Sequence, residues 1–225
     1  MAYTGDVAPG GQPDVRQLPD VVIRKVAVSA MANNCYLITC RATGRQLLID
    51  AADDAERLGG LIVAGEQEDG GDGLDLVVTT HGHWDHHRAL AAVLTSTGAQ
   101  SAAGRLDADA LPVPPDRLLD HGDIITVGRL ELEVVHLRGH TPGSVALVLG
   151  SAGGGVHVFT GDSLFPGGVG NTRGDADDFR SLLDDVEQRL FATLPDETWI
   201  YPGHGRDTTL GAERPHLGEW RERGW

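Results

Sequence analysis

The sequence predicts an α/β (α+β) fold in which two sheets pack face to face with helices on their outer sides. Two observations predict it, and the chain length allows it. Apolar runs of strand length outnumber helical patterns. They fall into two groups of similar size, each mixing hairpin signals with flanking helical stretches. At 225 residues the chain can bury roughly 70% of its unfolded surface, so neither a disulfide nor a metal is needed merely to hold a core.

Residues 1–19 are rich in Pro, Gly and Asp and read as an extended N-terminal segment on the surface, leaving 20–225 as a single domain. Residues 21–29, 34–40 and 46–51 read as strands, with Thr43-Gly44 as a hairpin turn. Asp53 opens a helical stretch with Leu58, Leu61 and Ile62 on one face, weakened by Gly59-Gly60. Residues 74–80 form a buried strand, and Leu90, Val93 and Leu94 have helical spacing. Strands follow at 122–128, 130–137, 144–150 and 156–162. Residues 179–190 are an amphipathic helix striped by Phe179, Leu182, Leu183, Val186 and Leu190. A short strand at 198–201 and a final helix over 213–224 complete the set, with Trp199, Trp220 and Trp225 read as core packing.

A formal net charge of −15 gives a solvated surface and argues against non-specific nucleic-acid binding, which needs Lys/Arg stripes. The N-terminus has neither a basic nor an apolar signal region, and no eighteen-residue apolar run offers a membrane span. Cys35 and Cys40 share one strand at odd spacing, hence opposite faces, about 16 Å apart along it. They cannot pair with each other there, and nothing asks for an oxidising compartment. These points predict a cytoplasmic protein.

The chemistry concentrates in Thr80-His81-Gly82-His83-Trp84-Asp85-His86-His87. His81 and His83, two apart in extended backbone, point to the same side at the mouth of a strand. Asp85 and His86 follow where the chain turns. Imidazole with carboxylate suits zinc, iron or another first-row divalent ion. A helical zinc-protease motif is excluded, because Trp84 stands where it would need glutamate. Three further strand ends offer donors beside glycine: His140 in Arg138-Gly139-His140-Thr141-Pro142-Gly143-Ser144, Asp162 in Phe159-Thr160-Gly161-Asp162, and His204 in Tyr201-Pro202-Gly203-His204-Gly205.

THGHWDH, GHTPGS, TGDSLF and PGHG, in this order, resemble the motif set of the metallo-β-lactamase fold family over residues 21–210. The resemblance implies a four-layer αββα sandwich with a metal site at one edge of both sheets. It implies that His81, His83 and His140 hold one metal, that Asp85, His86 and His204 hold a second, and that Asp162 bridges them. The cofactors would be two divalent ions, zinc first, with iron or manganese as alternatives. The remaining histidines, His87, His121, His136, His157 and His216, read as structural. The implied chemistry is hydrolysis by a metal-bridging hydroxide, with Asp85 orienting the nucleophile and accepting its proton. No G-x-S-x-G elbow offers a serine alternative.

Leu164-Phe165-Pro166-Gly167-Gly168 after Asp162 is similar to the hydroxyacylglutathione hydrolase (glyoxalase II) branch, which implies a small-molecule thioester as substrate. The pattern departs from that branch twice. Only 21 residues follow His204, where longer members carry a glutathione-gripping helical extension, and the arginine after the glycine-rich turn is displaced to Arg173. A thioester of another thiol, with Arg173 gripping a carboxylate, fits these departures. A second reading is a persulfide dioxygenase of the same fold, with one iron on His81, His140 and Asp162. A third is a non-catalytic binding module, which has no reason to keep seven ligands. The acyl group, the thiol carrier and the oligomeric state are not written in the motifs.

Overall fold

The computed structural model describes residues 3–224; Met1, Ala2 and Trp225 lie outside the described residues. The first sheet orders β1 (Asp14–Gln17), β2 (Val21–Val28), β3 (Asn33–Cys40), β4 (Gln46–Ile49), β5 (Leu74–Thr79), β6 (Gln100–Gly104) and β7 (Arg117–Leu119) in chain sequence. β1 to β4 are antiparallel, and β4 to β7 are parallel. Parallel neighbours need crossovers. α1 (Ala55–Asp69) and α2 (Leu90–Thr97) supply two of them.

The second sheet is built from β8 (Ile124–Val127), β9 (Leu130–His136), β10 (Val145–Ser151), β11 (Gly155–Gly161), β14 (Trp199–Pro202) and β15 (Thr208–Thr209), in the order β15-β14-β11-β10-β9-β8. A small ribbon of β12 (Leu164–Phe165) and β13 (Gly168–Val169) precedes α3 (Ala176–Val186). α4 (Leu210–Glu213) and α5 (Leu217–Arg223) close the chain.

Alternation along the strands assigns the layers. Ile38, Leu47, Ile49 and Val78 face Leu132, Leu147, Phe159 and Tyr201 between the sheets. Leu37, Leu48 and Val77 face outward under Leu58 and Leu61 of α1 and Leu90 of α2. Val135, Ala146 and Val158 are covered by Phe179, Leu182, Leu183 and Val186 of α3, together with Trp220. Both faces of each sheet are therefore buried, which explains why the strands read as continuous apolar runs rather than clean alternations. Truncating such a core side chain, Leu183→Ala for example, costs about 2–5 kcal/mol. Cys35 lies in the outer layer and Cys40 between the sheets, both free.

Four differences from the sequence reading have physical causes. β1 and the bridge of Pro9 to Ala27 fasten part of the first nineteen residues to the sheet edge, where a polar strand can face water. Gln100–Gly104 and Arg117–Leu119 are strands despite small or polar residues, because pairing beside β5 outweighs their weak propensity. α3 runs on through a π-helical turn, Glu187–Phe191, that buries Leu190 and Phe191. The final helix is broken by a 3-10 turn at Arg214–His216, where Pro215 cannot donate its backbone hydrogen bond. Trp220 is buried and Trp199 half-buried.

The first nineteen residues also meet a buried cation. Lys25 is fully enclosed, and its Nζ donates to Gly5 O at 2.7 Å, Gly205 O at 2.8 Å and Asp207 Oδ1 at 2.6 Å. Tyr3 and Trp199 donate to the other oxygen of Asp207.

Candidate metal centre

Every donor singled out in the sequence sits at one edge of the two sheets. His81 and His83 follow β5, and Asp85 and His86 lie on the 3-10 turn Trp84–His86. His140 lies between β9 and β10, Asp162 follows β11, and His204 follows β14. The pairing of β11 with β14 shifts register between Phe159 and Gly161, an irregularity just before Asp162. Gly161 is left-handed, and Gly203 is packed so closely that a Cβ there would collide with Asp162 Oδ1. Glycine at these two positions is what lets the carboxylate reach the site.

The donor atoms form two outer trios, His81, His83 and His140, and Asp85, His86 and His204, joined by a third, His81, His86 and Asp162. In the first, His83 Nδ1 is 3.1 Å from His81 Nε2 and 2.9 Å from His140 Nε2. In the second, His86 Nε2 is 3.2 Å from His204 Nε2 and 3.7 Å from Asp85 Oδ2, and His204 Nε2 is 3.5 Å from Asp85 Oδ2. Asp162 stands between them. Its Oδ2 is 3.6 Å from His140 and 3.5 Å from His204, and its Oδ1 is 3.5 Å from His86. Oδ1 is buried without a hydrogen-bond donor. Ligands about 2.0–2.2 Å from a common ion are separated by roughly 3–3.5 Å, so these spacings fit metal coordination. The orphaned oxygen and the converging imidazoles fit it too.

Partners behind the rings fix their orientation. His140 Nδ1 donates to Asn171 O at 2.9 Å and His204 Nδ1 to Met31 O at 2.9 Å. His81 Nδ1 lies 3.0 Å from Thr80 Oγ1. His86 Nδ1 is 2.8 Å from Asp50 Oδ2, and Asp50 also accepts from Thr80 N and Thr80 Oγ1. Asp107 joins two ligand loops by accepting from Gly82 N, Gly143 N and Thr141 Oγ1. The sequence reading passed over Asp50, Asp107 and Asn33. Asp50 left a signal, an acid closing an apolar strand as Asp162 does. Asn33 and Asp107 left none.

Electrostatics separate the trios. Burial, followed by the neighbouring imidazoles, pushes His81 well below the ordinary histidine range, and burial also lowers His83 and His140. Burial opposes charge on His86 too, but the Asp50 carboxylate and then Asp162 outweigh it and push that ring up to about 10. Burial likewise opposes charge on His204, and Asp162 reverses the outcome. Asp162, although burial favours its neutral form, is held well below the carboxylate range by His204 and His86. Asp85 is lowered by its bond from Asn33 and by His86, against its burial.

Arg173 stands at the mouth with Nη2 2.9 Å from His83 Nε2, in left-handed backbone held by Asn171 Oδ1. A cleft of about 310 Å³ opens there, lined by His83, His140, Thr141, Thr172 and Arg173 among others. A larger groove, about 830 Å³, lies between Arg45, Asp75, Ser101 and Arg117 and includes none of these donors. The smaller cleft is the one next to chemistry. His87 is buried, with Nε2 3.4 Å from Gly82 O, and His136, His157 and His216 lie outside the two trios.

Residues 28–204 match the family described as Metallo-beta-lactamase superfamily. A hydroxyacylglutathione hydrolase of Polaromonas sp. is 36% identical over 182 residues, covering 78% of this chain but 63% of that protein. The chain thus spans less than two thirds of that relative. Hydroxyacylglutathione hydrolase GloC of Haemophilus influenzae is 30% identical over 85% of this chain and 94% of its own length. Among solved structures, ETHE1 from Myxococcus xanthus superposes with a TM-score of 0.72 at 30% identity, covering 89% of this chain and 84% of the other. The family and the hydrolase relatives support a metal-dependent hydrolase. With two facing sheets and donors from both converging at one edge, the chain belongs to the metallo-beta-lactamase superfamily.

Proposed function

We propose that the single domain of residues 20–225, extended at its edge by β1 (Asp14–Gln17), hydrolyses a small-molecule thioester with two divalent ions, zinc first. One observation carries the reading: seven donors from both sheets converge as two trios with Asp162 facing each. His81, His83 and His140 would hold one ion, Asp85, His86 and His204 the other, and Asp162 would touch both. When bound, such ions acidify water toward a pKa of about 7 and polarise a carbonyl.

The protein's own groups do the rest. Asp85, held ionised by its bond from Asn33 and by His86, accepts a proton and orients the attacking oxygen. The ring partners keep the ligand nitrogens aimed inward. Arg173 can only donate, so its contact with His83 Nε2 puts the ring proton on Nδ1, the atom an ion needs free. With the first trio occupied, His83 Nε2 would carry the ring proton, and Arg173 would be free to grip a carboxylate on the substrate from the rim of the cleft. Two free cysteines and the acidic balance fit a cytoplasmic setting without nucleic acid. No helix among the described residues is long and apolar enough to cross a membrane.

Elemental mass spectrometry of freshly purified protein, paired with a panel of carboxylated thioesters, tests the reading. Near two ions per chain with thiol release is expected. Near one iron, with oxygen uptake on a persulfide and no thioester turnover, would replace it with the dioxygenase reading, which the likeness to ETHE1 fits.

A further inference from the structure

Asn33 is fully buried at the start of β3, and its amide reaches into the second trio. Its Nδ2 is 2.8 Å from Asp85 Oδ2 and 3.4 Å from both His86 Nε2 and His204 Nε2. Those three donors are themselves 3.2–3.7 Å apart. Three atoms so spaced share a point about 2.0 Å from each, which is an ordinary bond length to zinc. The Asn33 amide nitrogen stands off that triangle, 2.8 Å from one corner and 3.4 Å from the other two, the spacing that neighbouring ligands of one ion have.

An amide NH2 cannot ligate, but its oxygen can. The far side of the amide makes the exchange easy. Asn33 Oδ1 accepts from Ser29 Oγ at 2.6 Å, and a hydroxyl serves equally as donor or acceptor. A half-turn of the carboxamide keeps that bond and presents oxygen to the trio. The backbone is placed for this. Asn33 pairs with His204 in an isolated bridge, and Asn34 N donates to Gly203 O at 2.7 Å. The turn before it holds Ser29 and Ala32 in left-handed conformations that favour glycine, although neither residue is one.

We propose that Asn33 is a ligand of the second metal, turning its carboxamide oxygen to the ion beside Asp85, His86 and His204. The assignment rests on the two-ion reading above.

The test compares the parent with N33L, which keeps the size, and N33D, which keeps an oxygen. N33A serves if N33L fails to fold. Ions per chain are counted by elemental mass spectrometry against a weak chelator, and visible spectra are recorded with cobalt in place of zinc. The parent and N33D should hold two ions. N33L should hold the first normally and bind the second at least about tenfold more weakly, with cobalt bands that change intensity as one ligand is lost. Parental affinity and an unchanged spectrum in N33L overturn the Asn33 assignment alone. A parent that saturates at one ion overturns the two-ion reading and this assignment with it.

Discussion

His86 and His157 are both buried imidazoles, and their surroundings push their proton affinities in opposite directions. His157 lies near the start of β11, the strand whose far end leads to Asp162. Burial, reinforced by Arg16, pushes it down to about 4. Its Nδ1 is 3.0 Å from the Tyr201 hydroxyl, and its Nε2 is 3.2 Å from Gly154 O. Those contacts suit a neutral ring. His86 is no less enclosed, yet Asp50 and Asp162 make the charged form preferred. Enclosure alone thus says little about a histidine's task. The carboxylates facing it decide whether the pocket welcomes positive charge, and a pocket that welcomes a proton welcomes a metal cation.

Asp50→Asn attacks that difference directly and should have the largest effect. Asparagine suits the left-handed backbone at this position, so the fold should survive. Its amide, turned toward His86, would oppose the Nδ1 proton and favour the tautomer with a proton on Nε2, the nitrogen facing the site. Metal affinity at the second trio should fall by about 10–100-fold, read by titration with elemental analysis. Unchanged affinity would mean that Asp50 does not set the ring.

The effect at His157 is smaller and appears in stability. Its folded value of about 4 lies below the unfolded value of about 6.5, so the unfolded chain takes the proton first as pH falls. Stability is complete above that unfolded value and drains away between about pH 6.5 and 4, by at most about 3 kcal/mol. His157→Gln should flatten this part of the profile of Tm against pH, whatever its effect at neutral pH. A parallel profile would show that His157 carries no such linkage. At the bottom of the scale, His216→Ala should leave turnover and metal content unchanged. That ring is about half exposed, 3.6 Å from Glu219, and outside both trios.

The same contrast shows what could be read in advance. Ligand types and their glycine-bracketed turns were legible because spacing and strand ends are local in sequence. The site's geometry was not. Asp50 reaches His86 across 36 residues and Asn33 reaches Asp85 across 52, and nothing near either residue names its partner. The strands with apolar runs were legible for the same local reason. Gln100–Gly104 was missed because its strand character comes from its neighbours β5 and β7.

Lys25 has one more consequence. Its three protons are shared among the N-terminal segment at Gly5, the Asp207 carboxylate and the carbonyl of Gly205, next to His204. Clipping the chain beyond Gly5 would leave one buried N–H without an acceptor, at a cost of about 1–3 kcal/mol. The loss would fall on the loop that carries His204. A protease acting on this N-terminal segment could therefore dull the site without touching one of its ligands.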